Sequence, residues 1–156
     1  MGSPTQDRRG ARILALDALY QAEIREQLPS EALSLLCKDS SVTLPDPPEP
    51  GVEAPSEETV AYATRLVEGF QEHAATIDGH IDVAATHWAI ERMPIVDKNV
   101  LRLAVYELLW QPDIPTAVVI NEAIELAKSL STEGSGRFIN GILGRVASSR
   151  STATES

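Results

Sequence analysis

The stretch DKNVLRLAVYELLW, residues 97–110, decides the fold class. Val100, Leu101, Leu103, Ala104, Leu108 and Leu109 put apolar side chains around so much of a helical circumference that the segment predicts a central, enclosed helix. Pro94 interrupts the chain before it, and Pro112 and Pro115 end it, because proline lacks the amide proton a helix needs. Downstream, residues 116–130 turn Val119, Ile120, Ala123, Ile124 and Ala127 to one side and Glu122, Glu125 and Lys128 to the other, the pattern of an amphipathic helix. Residues 131–136 read as a polar turn, 138–146 as a last helix and 148–156 as a frayed, disordered tail.

Upstream, Ile13, Leu16, Tyr20 and Ile24 recur at helical spacing from Arg8 to about Gln27 and predict a half-buried helix with that stripe inward. A short helix follows at residues 30–37, with Ser30 as its expected cap. Ser56 is the expected cap of another, carrying Val60, Leu66, Val67 and Phe70 to about His73. Ile77, Ile81, Ala84, Ala85 and Trp88 predict one more. Residues 39–55 hold five of the ten prolines together with Asp46, Glu49 and Glu53, the composition of an exposed acidic connection. No run alternates long enough for a strand, so the expected class is all-α: about seven helices in a single domain.

A chain of 156 residues with 43% hydrophobic side chains can enclose one core. No segment approaches the roughly 20 apolar residues needed to span a bilayer, and the single Cys37 allows no internal disulfide, so a cytoplasmic setting without membrane contact is expected. The net charge of −10 opposes a protein that coats nucleic acid, since phosphate binding is driven by cationic side chains displacing counterions. The charge is uneven, however. Residues 1–12 hold three arginines against one aspartate, whereas residues 31–72 hold nine acids against Lys38 and Arg65, so a basic tip on an acidic body can still grip RNA.

Catalytic and metal chemistry find no support. His73, His80 and His87 share a spacing of seven, but on a helix that is a climb of about 10.5 Å per step, too far for ligands each about 2 Å from one zinc ion. The glycines at 134 and 136 follow no buried strand and precede no Lys-Ser/Thr pair, and Cys37 has no nearby histidine in sequence. The expectation is a non-enzyme with no cofactor and no metal.

The segments ERMPIVDKNVLRLAVYELL (91–109), DIP (113–115), INEAIELAK (120–128) and FINGIL (138–143) resemble the NusB family, as do RRGAR (8–12) and ALYQ (18–21) at the other end. The resemblance covers residues 8–147 apart from the proline-rich connection. It implies two packed helical bundles, here an N-terminal subdomain over 8–75 and a C-terminal one over 76–147. It also implies a role in transcription antitermination: pairing with NusE, a ribosomal small-subunit protein, to recognise the single-stranded boxA element of nascent RNA within the RNA polymerase complex that transcribes ribosomal RNA operons. A NusB-like domain also opens some ribosomal RNA cytosine methyltransferases, but those need a Rossmann-type domain downstream, and this chain ends near the last NusB-like helix. A homodimer joined through apolar helix faces is the other alternative.

The resemblance implies RNA contacts at Arg8, Arg9, Arg12, Tyr20, Arg137 and Phe138. Arg9 and Arg12 lie three apart on the first helix, so they are expected as surface neighbours forming a phosphate grip, with helix solubilisation as the alternative. Tyr20 is about 80° further around, able either to stack on a base or to fill a seam between bundles. Phe138 by itself reads as core. The resemblance places Asp97 at the NusE interface, offering a carboxylate to a basic partner; standing where a helix begins, it could instead cap that helix. The family often carries an acid where this chain has Gly134, and some relatives an aromatic residue where it has Ala85.

Overall fold

The computed structural model describes residues 4–38, 55–86, 88–131 and 133–154. Among these residues the structure is helical without a strand: α1 (Pro4–Arg25), α2 (Pro29–Lys38), α3 (Glu57–Ala84), a single 3₁₀ turn at Ile90–Arg92, α4 (Ile95–Trp110), α5 (Thr116–Leu130) and α6 (Glu133–Thr154). The expected seven helices become six because α3 joins the two anticipated over residues 56–73 and 77–88. Its continuity is broken only at His73, whose backbone leaves helical values at φ −113°, ψ 22°. No proline or glycine lies between Glu72 and Ile77 to end the helix, so the chain kinks instead of stopping. The acidic connection lies, but for Pro55, outside the described residues, as does His87.

The chain divides into two compact units, Met1–Gln71 and Glu72–Ser156, near that kink. In the first, α1 packs against α2. The buried face of α1 is not the expected Ile13–Leu16–Tyr20–Ile24 stripe. Ala11, Ala15, Leu16, Ala18, Leu19 and Ala22 are buried, whereas Ile13, Tyr20 and Ile24 are exposed. Alanines bury little area each, yet they let helices approach closely, and here they outvote the larger side chains in setting which face turns inward. α1 ends on Glu26, which adopts a left-handed backbone with φ 53°. The Gln27 amide then donates to the Ala22 carbonyl at 3.0 Å, the six-to-one bond that closes a helix C-terminus. Ser30 does not cap α2: the helix begins at Pro29, where a missing amide proton is harmless, and the Ser30 amide donates to Gln71 Oε1 at 3.0 Å. Ser56 does cap α3, its Oγ accepting the Thr59 amide at 3.1 Å.

In the second unit, α4 packs against α5 and α6, and α5 against α6. As its composition requires, α4 buries Val100, Leu101, Leu103, Ala104, Val105 and Leu108. α5 occupies the expected residues and buries Val119, Ala123, Leu126 and Ala127. α6 starts five residues ahead of Phe138, with Gly136 inside its first turns: a Cβ there would stand 3.2 Å from Lys128 Cε and 3.4 Å from Ile124 Cγ2, so the missing side chain lets α6 approach α5. The helix continues to Thr154, past the expected end at Val146, because no proline or glycine follows Gly144. Arg102 ties α4 to the C-terminal half of α3. Its Nε and Nη2 each donate to a different carboxylate oxygen of Asp78 at 2.9 Å, and its Nη1 donates to Asn99 Oδ1 at 3.2 Å.

Gly79 sits exposed within α3, and a Cβ added there meets nothing within 4 Å. Gly79→Ala is therefore expected to stabilise the protein by about 0.5–1 kcal/mol, from helix propensity alone. Thermal melting followed by circular dichroism should show a rise of roughly 2 °C; an unchanged or lower midpoint would mean that this turn is not helical in solution.

Candidate nucleic-acid interface

Two separate groups of candidate residues emerge, one in each unit. In the first, α1 carries Arg8, Arg9, Arg12 and Tyr20. Arg9 is exposed, and Arg8 is half-buried with its guanidinium carbon 5.5 Å from the centre of the Tyr62 ring, a cation–π distance that holds α1 to α3. Arg12 departs from the expectation of a surface phosphate grip: it is only 4% exposed and is engaged by neighbours. It lies three, four and seven residues before Ala15, Leu16 and Leu19, so the packing of those residues turns the same face, and Arg12 with it, inward. Tyr20 is 43% exposed, so part of its side chain is accessible to a stacked base. Asp17, one turn before Tyr20, has its carboxyl pushed above the ordinary carboxylate value by loss of hydration.

The second group gathers on α6. Arg137 is exposed, and Phe138 is half-buried with its ring 5.2 Å from that of Trp88 at an interplanar angle of 58°. The two rings form one corner of an open cleft of about 290 Å³, completed by Ala85, Thr86, Gly141, Ile142 and Arg145. Arg145 Nη1 donates to the Ala84 carbonyl at 2.6 Å, which holds this second guanidinium at the cleft wall. Sequence reasoning assigned Trp88 to the helix core and overlooked Arg145. The signal was present in the spacing: Arg137, Gly141 and Arg145 recur every four residues and so share one face of α6.

Asp97 is placed differently from either expectation. It neither faces outward nor caps α4: the cap position is Pro94, without a side-chain hydrogen bond, and Asp97 lies inside the first turn, 4% exposed. The Ser135 hydroxyl donates to its Oδ2 at 2.9 Å and joins α4 to α6, while Oδ1 has no hydrogen-bond partner among the described residues. Asn99 Nδ2 is likewise buried without one. Gly134, the departure from the family's acid, is exposed beside Ser135 at the start of α6. Among the described residues, no three acids, histidines or cysteines stand together as metal ligands, and no helix is long and apolar enough to cross a membrane.

A sequence profile described as the NusB family matches residues 9–148. The chain belongs to the NusB family. Two of its NusB relatives, each named transcription antitermination protein NusB, are those of Acidothermus cellulolyticus and Salinispora arenicola. The first is 43% identical over 149 residues, covering 96% of this chain and 92% of the relative. The second is 44% identical over 140 residues, covering 90% and 94%. Among solved structures, NusB of T. maritima is similar with a TM-score of 0.76 and 37% identity, over 95% of this chain and 93% of that one. A structure described as antitermination factors NusB and NusE in complex with dsRNA contains a chain similar with a TM-score of 0.75 and 26% identity, over 92% of this chain and 98% of that one.

Proposed function

We propose that this NusB-family protein is a transcription antitermination factor that binds boxA-type RNA jointly with NusE, as part of the RNA polymerase complex on ribosomal RNA operons. It works as a cytoplasmic adaptor and carries out no chemical step. The observation that carries this reading is the similarity, over nine-tenths of the chain, to a NusB bound to both NusE and RNA. The residues assigned to RNA are Arg8, Arg9 and Tyr20 on α1 and Arg137 and Phe138 on α6, with Arg12 supporting α1 from beneath.

Charge explains why a partner is needed. A protein of net charge −10 repels phosphates at long range, and a few exposed arginines offset that only locally. A basic partner would extend the positive surface, and RNA touching both proteins would make its second contact effectively intramolecular. Fluorescence anisotropy with a labelled single-stranded boxA-type RNA, titrated with this protein, with NusE and with their mixture at fixed salt, tests the proposal. Affinity for the mixture is expected to exceed that for either protein by about tenfold or more; equal affinities would remove the adaptor mechanism.

A further inference from the structure

We propose that the cleft between Trp88 and α6 receives one nucleotide of a single-stranded RNA, its base stacked on the Trp88 ring and its phosphate held by Arg137. This rests on the RNA-binding reading above and extends it from Arg137 and Phe138 to Trp88, Gly141 and Arg145, which that reading does not use.

Four observations point to such an occupant. Trp88 is 45% exposed, unusual for the largest apolar side chain, and its edge is braced by Phe138 at a tilt instead of being covered by a parallel ring. A ring held on one side and open on the other is a stacking platform, and every base offers a flat face to it. The cleft volume of about 290 Å³ is of the size that takes one small planar ligand, not a folded partner. Two arginines line it, Arg137 exposed and Arg145 fixed by the Ala84 carbonyl, so anionic ligands are favoured over neutral ones. Finally, the α6 wall is open at Gly141, where an added Cβ would meet no atom within 4 Å. Glycine in mid-helix is unfavourable by itself, and at this position its absent side chain keeps the cleft wide.

The duplex alternative fits less well, because a paired base presents its edge in a groove and leaves no free face for a tryptophan to stack on.

Three variants, each tested for RNA binding together with NusE, and a fourth made for fluorescence decide the proposal. Trp88→Ala removes the platform and should weaken binding of a fluorescein-labelled single-stranded boxA-type oligoribonucleotide by roughly tenfold, while Trp88→Phe, which keeps a stacking face, should stay within about threefold of wild type. Gly141→Leu fills the cleft with a better helix former, so it should fold at least as well as wild type and still lose affinity. In a Trp110→Phe background, Trp88 is the only tryptophan, and its emission should be quenched on saturation with that RNA. Wild-type affinity in both Trp88→Ala and Gly141→Leu, with Trp88 emission unmoved by bound RNA, would overturn the cleft while leaving the RNA-binding reading in place. Failure of the wild-type mixture to bind RNA at all would overturn both. Equal loss of duplex and single-strand affinity in Trp88→Ala would also reject a site for an unpaired base.

Discussion

Replacing Asp97 with lysine is expected to lower the unfolding free energy by about 3 kcal/mol. The carboxylate is 4% exposed in the first turn of α4 and accepts the Ser135 hydroxyl of α6. An ammonium in its place would be buried without an acceptor, and the longer side chain would push apart two packed helices. Asp97→Asn has nearly the same shape, keeps an oxygen for Ser135 and removes the buried charge, so it should unfold within about 1 kcal/mol of wild type. Denaturant titrations of the two variants check the pair. The asparagine variant also separates structure from recognition: retention of its affinity for NusE, read by calorimetry, is the expected result. A folded Asp97→Asn protein that no longer binds NusE would mean that the carboxylate itself turns outward to meet the partner.

The second large effect is a contrast between two arginines three residues apart. Arg12→Ala should destabilise the protein by about 2 kcal/mol, because it removes a buried, engaged guanidinium and leaves its neighbours without it. Arg9→Ala, on the exposed side, should change stability by less than about 0.5 kcal/mol. It should instead weaken RNA binding and reduce the slope of log affinity against log salt by about 0.7–0.9, the loss of one phosphate contact. Melting curves and binding titrations at several salt concentrations give both quantities for both variants. A stable Arg12→Ala protein with a flattened salt slope would return Arg12 to the RNA surface.

That contrast also shows how far residue patterns could be read. Where burial follows from bulk, as in Val100, Leu101 and Leu108 of α4, the sequence reading and the structure agree, since a segment apolar on most sides has only one stable place. α5 is recovered to its ends because prolines and a polar turn bound it. α1 failed by the same logic: Ile13 and Ile24 are bulkier and more apolar than the alanines, but it is the face of alanines with Leu16 and Leu19 that packs, and the charge of Arg12 gives no hint that it shares that face. Arg8, Arg9, Tyr20, Arg137 and Phe138 were assigned by resemblance, and of these the structure leaves Arg9, Tyr20 and Arg137 exposed. Trp88 was not among them, because an aromatic residue at helical spacing is normally core, and only the end of α3 at Ala84 takes it off the helix and leaves its ring in the open. Asp97 was named by resemblance, which gives no sign of its burial against Ser135.

The bond from Arg102 to Asp78 bears on how faithfully the second unit assembles. Apolar ridges resemble one another from turn to turn, so helices joined by them alone can settle one turn out of step, about 5.4 Å along the axis, with little to tell the two arrangements apart. A flat guanidinium matched at two points to one carboxylate tells these arrangements apart better than apolar ridges do. After a slip toward Ala74, Arg102 would face an apolar turn, whereas a slip the other way would bring it to Asp82 and leave Asp78 without its two donors. The alignment of α4 with the end of α3 is thus set as a key sets a lock, in discrete steps. An ion pair at the margin of the core adds little strength, yet it favours the register in which both of its charges are met.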